Sequence, residues 1–132
     1  KAGDPGMRFE GIHHVAGLVS DYARSRAFYV ETLGLPILRE NYREDRGDWK
    51  LDLKAGEMEL ELFSAPQAPL RPDRPEALGL RHLAFRVEDV EEAARQLAAR
   101  GVPCEPIRTD PFTGGRMTFF RDPDGLPLEL HE

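Results

Sequence analysis

The sequence predicts an α+β fold made of two βαβββ modules, and three observations lead to it. The stretch Gly11–Asp21, GIHHVAGLVSD, returns 68 residues later as Gly79–Asp89, GLRHLAFRVED. At the same offset Leu60-Glu61-Leu62 returns as Leu128-Glu129-Leu130, so each half has a His and, 47 residues on, a Glu: His14 with Glu61, His82 with Glu129. Within each repeat a segment of helical spacing is followed by three segments of strand composition, with turn residues between them. A repeat of this size is marginal for a core of its own, so the halves should share one.

The elements follow in order. Phe9–Val19 is rich in Ile, Val and Leu and reads as a strand. Ser20 or Asp21 can cap a helix over Tyr22–Leu33, whose stripe is Tyr22, Ala23, Ala27, Val30 and Leu33, with Phe28 off it. Gly34 and Pro36 end that helix. Strands are expected at Ile37–Arg43, Trp49–Lys54 and Met58–Phe63, with a hairpin at Ala55-Gly56-Glu57. Pro66, Pro69, Pro72 and Pro75 make the next stretch an extended linker. The second half repeats the order: a strand at Leu80–Val87, a helix at Val90–Arg100 capped by Asp89, then strands at Cys104–Arg108, Arg116–Arg121 and Pro127–His131. Asp122-Pro123-Asp124-Gly125 is a strong turn before the last strand. The expected organisation is one domain over 7–132, with module 1 at 9–64, a linker at 65–79 and module 2 at 80–132. Residues 1–6, KAGDPG, lack the apolar core of a signal peptide and read as a cloning scar.

A net charge of −6 argues against nucleic acid as the main partner. The lone Cys104 excludes an internal disulfide and fits a reducing, cytoplasmic setting. No apolar run is long enough to span a membrane.

Strand alternation then sorts the polar residues by face. Val15 and Val19, Leu60 and Leu62, Leu83, Phe85 and Val87, and Leu128 and Leu130 should pack on the helices. His14, Glu61, His82 and Glu129 then share the opposite face, and His13 should point away from His14. Alternation does not separate Glu61 from Glu59; the repeat does. Two imidazoles and two carboxylates suit a borderline-hard divalent ion, and Zn, Ni, Co, Mn and Fe(II) all accept this set. Four protein ligands leave room for a substrate with two neighbouring oxygens. Tyr42, Trp49, Phe112 and Phe119 are candidates for the cavity wall. Arg86 and Arg116 are candidates for a substrate carboxylate. Gly114-Gly115 is a candidate hinge, and His131 a candidate to orient a ligand.

The segments HHVAGLVSD, RAFYVETLGLP, LELF, RHLAFRVED and FFRDPDGLPLELHE resemble the vicinal oxygen chelate, or glyoxalase/bleomycin resistance/dioxygenase, superfamily. YREDRGDWKLDL and TDPFTGGRMTFFRDPDGLPLELHE are similar to its small glyoxalase I-like, YaeR-like group. The resemblance implies curled mixed sheets enclosing a metal-binding cavity, with one divalent metal per site held by His14, Glu61, His82 and Glu129. It implies a homodimer in which modules from two chains surround one metal. It also implies a glyoxalase I-type lyase or isomerase acting on a 2-oxoaldehyde–thiol hemithioacetal or similar small molecule, with Glu129 ahead of Glu61 as the base. A ligand- or drug-sequestering protein and an Fe(II) dioxygenase are the alternatives within the same superfamily.

Overall fold

The computed structural model describes residues 6–132, so the expectation for residues 1–6 falls, except for Gly6, outside them. Two four-stranded mixed sheets form. The first holds β1 (His14–Val19), β2 (Ile37–Arg43), β3 (Asp48–Ala55) and β4 (Met58–Ser64), in the order β1-β4-β3-β2. The second holds β5 (Leu83–Arg86), β6 (Arg108–Thr109), β7 (Arg116–Arg121) and β8 (Pro127–His131), in the order β5-β8-β7-β6. In both sheets the first strand lies parallel to the last, and the remaining pairs are antiparallel. Neither sheet closes, and β1 and β5 each pair on one side only.

The strands beside the repeats are shorter than the composition suggests, for one reason. β4 begins just after the Gly56-Glu57 turn, so residues 9–12 have no strand to pair with, His13 offers only its carbonyl to the Glu59 N–H at 3.1 Å, and β1 starts at His14, not Phe9. β8 begins after the Asp122–Gly125 turn, so Leu80–His82 likewise lie outside β5. The strand expected at Cys104–Arg108 is reduced to Arg108–Thr109. Pro103 and Pro106 carry no N–H for a ladder there, and single bonds from Glu105 N–H to Phe119 O (2.9 Å) and from Thr118 Oγ1 to Glu105 O (2.6 Å) hold that stretch.

Both helices start where the repeat places an Asp. Asp21 accepts from the Arg24 N–H at 3.1 Å and Asp89 from the Glu92 N–H at 3.1 Å, each satisfying a first-turn donor. α2 (Val90–Ala99) is regular and buries Val90 and Leu97. α1 (Tyr22–Arg26) is not continued as expected: Ala27–Thr32 widens into π turns, with Leu33 N–H on Phe28 O at 2.9 Å. The wider turn breaks the 3.6-residue period. Ser25 and Tyr29 become the buried positions, Ala23 stays exposed, and Phe28 comes round to face Tyr29 and Phe120.

The core is common to both halves. Val19, Leu51, Leu53, Leu60 and Leu62 from the first sheet cluster with Phe120, Leu128 and Leu130 from the second and with Tyr29, Val90 and Leu97. Polar bonds pin the halves beside it. The Tyr29 hydroxyl donates to Asp122 at 2.7 Å, while Asp122 also accepts the N–H groups of Asp124 (2.9 Å) and Leu126 (2.8 Å). That turn closes because Gly125 takes φ 84°, a conformation costly for any residue with a Cβ. Ser20 N–H donates to Asp124 at 3.0 Å, and Arg100 donates to Thr32 O at 2.7 Å.

Glu132 locks α2 to the second sheet by accepting from Val90 N–H (3.0 Å) and Arg116 Nε (2.8 Å). Those bonds, the Arg116 guanidinium first, hold its carboxyl down to about 2 from the ordinary 4.5. A depressed carboxyl stabilises the fold fully above its unfolded value and loses that contribution as pH falls toward the folded one. Unfolding midpoints measured in urea should therefore decline between pH 4.5 and about 2, and Glu132→Gln should flatten that decline. Tyr29→Phe removes the buried bond to Asp122 and should cost about 1–3 kcal/mol, read as a lower urea midpoint at unchanged slope.

Candidate metal centre

The parallel pairs position the predicted residues. In the first sheet Ala16 lies opposite Glu61, and in the second Ala84 lies opposite Glu129. His14 precedes its alanine by two residues within β1, which puts it one pleat along on the same face; His82 lies just before β5, and its contact with Glu129 places it beside that carboxylate. The structure brings the residues together as two couples. His14 Nδ1 stands 3.6 Å from Glu61 Oε2, and His82 Nε2 stands 3.0 Å from Glu129 Oε1. The carboxylates are the sheltered partners, with side chains 12% and 6% exposed against 42% and 31% for the imidazoles. The couples do not merge within the chain: among the described residues no group of three or more His, Cys, Asp or Glu side chains is placed to hold a metal ion. Each couple nevertheless offers one imidazole and one carboxylate on a single face, half of a set that a borderline divalent cation accepts.

The surroundings of the couples differ. Asp52 lies directly across from Glu61 on β3, whereas Phe119 lies across from Glu129 on β7. Two facing carboxylates repel, and Lys50 sits between them, 2.6 Å from Asp52 and 3.7 Å from Glu61. Arg39 adds a bond to Asp52 at 2.9 Å and reaches Glu59 at 2.5 Å. Burial alone would raise the Asp52 carboxyl, but the bonds from Lys50 and Arg39 outweigh it and hold it below the usual range. In the second sheet the Phe119 ring meets His82 edge-on at 5.1 Å, and the Arg108 guanidinium lies 5.3 Å from the Phe119 ring centre. Lys50 and Asp52 were not singled out in the sequence. Their signal was there, since they alternate with the core residues Leu51 and Leu53, but only the strand register shows which carboxylate they face.

Other expectations shift. His13 does not point away: it lies just before β1, and its Nδ1 comes within 2.9 Å of His14 Nδ1. Alternation holds only inside a strand. Trp49 shares its parity with Leu51 and Leu53, stacks on Tyr22 at 5.2 Å and meets Tyr42 at 5.3 Å, so both rings belong to the helix side. Phe112 is 93% exposed in its loop. Phe119 is thus the aromatic that reaches a couple. Arg116 is engaged by Glu132 at 2.7 Å and Asp89 at 3.3 Å. Gly115 is a close-packed position rather than a free hinge, since a Cβ there would lie 3.2 Å from Glu132 O and His131 Cε1. His131 stands 3.9 Å from Glu129, with its Nδ1 2.6 Å from Glu132 O. A cleft of about 370 Å³ runs along the free edge of β1, with His82, Leu80 and the linker residues Leu70 and Arg71 among its walls.

Comparison with known proteins agrees with this architecture. The model of the Glyoxalase/Bleomycin resistance protein/Dioxygenase superfamily matches residues 11–130. The chain is 55% identical to the uncharacterized protein YwkD of Bacillus subtilis, covering 96% of this chain and 99% of that one. It is also 55% identical to the uncharacterized protein YaeR of Escherichia coli, covering 92% and 95%. The crystal structure of a glyoxalase family protein from Enterococcus faecalis superposes with a TM-score of 0.88 at 59% identity, covering 96% of this chain and all of that one. More distant matches are the lactoylglutathione lyase of Agrobacterium tumefaciens (27% identity, TM-score 0.72, covering 95% of each chain) and a 2-epi-5-epi-valiolone epimerase from Actinomyces sp (32% identity, covering 90% of this chain and 77% of that one).

If Lys50 relieves the repulsion between Asp52 and Glu61, Lys50→Met should lower stability by about 1–3 kcal/mol. Much of that loss should return in the double variant Lys50→Met/Asp52→Asn, as a double-mutant cycle in urea would show.

Proposed function

Because the chain belongs to the Glyoxalase/Bleomycin resistance protein/Dioxygenase superfamily, we propose that it is a metal-dependent lyase or isomerase of the glyoxalase I type. Its substrate would be a small α-oxygenated molecule such as a 2-oxoaldehyde–thiol hemithioacetal. The observation that carries this reading is the duplicated couple: His14 with Glu61 and His82 with Glu129, each on the exposed face of its sheet. The likeness to a lactoylglutathione lyase and to an epimerase supports the same class of chemistry, since both names fit reactions that move a proton at a carbon beside an oxygenated carbon.

In this reading His14, Glu61, His82 and Glu129 hold one divalent ion, with Ni, Zn or Co preferred. A divalent ion held there would supply Lewis acidity to the oxygenated substrate. Glu129 takes the proton from the carbon bearing one oxygen and returns it to the next carbon. Its nearly buried side chain has no Lys or Arg within ion-pair distance among the described residues, unlike Glu61 beside Lys50. Phe119 shields the His82 side of the couple from water.

Since one chain presents two half-sets, the four ligands would assemble between two copies. The site face supports this: Leu18, on the same side of β1 as His14, is 62% exposed, and Leu70 and Leu80 nearby are 74% and 79% exposed. Such apolar exposure marks an interface. Purified protein should carry stoichiometric Ni, Zn or Co and isomerise methylglyoxal–thiol adducts. Oxygen consumption instead would indicate a dioxygenase, and unchanged bound ligand a sequestering protein. The chain arrangement has its own test. A His14→Ala/Glu61→Ala variant and a His82→Ala/Glu129→Ala variant should each be inactive. Mixed and reassociated, they should regain about a quarter of wild-type activity, because half the dimers would hold one intact site of two. No recovery would place each site within one chain.

A further inference from the structure

The second sheet carries a cation with no acidic partner on the same face as Glu129. Arg86 alternates with Phe85, whose ring packs against the core, so it leaves β5 on the side of Ala84 and His82. Ala84 lies opposite Glu129, and Arg86 opposite His131. Continuing across the sheet, His131 lies opposite Met117 and Met117 opposite Arg108. A row Arg86–His131–Met117–Arg108 therefore runs beside the row Ala84–Glu129–Phe119. One pleat separates the two rows, roughly 7 Å along a strand, a span that an extended arginine side chain bridges.

The other basic side chains on the two site faces are occupied. Arg39 and Lys50 are held by Asp52, Arg43 by Asp48 at 2.7 Å, Arg121 by Asp73 at 3.4 Å and Arg108 by Glu105 at 3.8 Å. Lys54 donates to Gly56 O at 2.8 Å. Arg86 has neither an ion pair nor a side-chain hydrogen bond among the described residues. His131, its neighbour in the row, is engaged: its Nδ1 lies 2.6 Å from Glu132 O and its Nε2 3.7 Å from Asp110 and 3.9 Å from Glu129.

We propose that Arg86 is a specificity-determining subsite for an anionic group of the substrate, so that the preferred substrate carries a carboxylate a few bonds from its paired oxygens. This rests on the function proposed above and names its substrate class. A guanidinium donates two parallel hydrogen bonds to a carboxylate. At this position it would orient the substrate with its reacting carbons over Glu129 rather than take part in proton transfer. Arg116, equally eligible from sequence, is excluded by its bonds to Glu132 and Asp89.

The test uses the full-length, metal-loaded protein and two matched probes. Lactate and malate share a 2-hydroxy acid unit that can fill the paired-oxygen position, and malate adds a distal carboxylate. By calorimetry, wild type should bind malate about tenfold or more tighter than lactate, the effect of one charge-assisted contact. Arg86→Ala should erase that preference while leaving lactate affinity and the melting temperature unchanged, and Arg86→Lys should keep part of it. In turnover, hemithioacetals of mercaptopropionate and of mercaptoethanol should show the same contrast in KM, with kcat for the neutral adduct unchanged. Equal binding of the two probes by wild type, or an undiminished preference in Arg86→Ala, overturns the subsite. A wild-type chain that takes up no divalent ion overturns the proposed function instead, and metal analysis before calorimetry tells the two failures apart.

Discussion

The parallel contact between the first and last strand of each sheet is the constraint on which the remainder of the architecture depends. A parallel neighbour cannot be reached by a tight turn, so the chain must travel through a helix and two further strands before returning. That detour supplies the hairpins and the helix that covers the core. It also decides which residues meet: the alanine after each site histidine lands beside a glutamate, at the same offset in both sheets. An imidazole and a carboxylate far apart in the chain are thereby presented side by side, with their neighbouring leucines driven into the interior.

The halves are held together by packing and by a few polar bonds, not by a shared ladder. Among the described residues no strand of one sheet pairs with a strand of the other. Tyr29 reaches across to Asp122, Ser20 to Asp124 and Arg100 to the carbonyl of Thr32. Burial raises the affinity of the Tyr29 phenol for its proton, which keeps it a donor to the neighbouring carboxylate. The Asp122–Gly125 turn therefore shapes the entry to β8 and anchors the first helix at once.

Much of this was legible from residues because duplication supplies an internal comparison. His82 and Glu129 point to His14 and Glu61, and Asp89 points to Asp21 as a helix cap. What stayed hidden depends on facts that composition does not encode. The extent of β1 and β5 is set by where the partner strand begins, so the apolar residues before them misled. The π turns after α1 break the helical period, so Tyr29 is the buried position of that segment rather than Val30 or Leu33. The opposition of Asp52 and Glu61 depends on hairpin register, and the rotation of His13 toward His14 on the end of strand alternation.

Duplicated halves begin as equals, yet the residues across from the two glutamates have diverged. One is a carboxylate braced by lysine and arginine; the other is a benzyl ring resting against an imidazole. Near-twofold ancestry has thus yielded two couples of the same residues set in unlike surroundings.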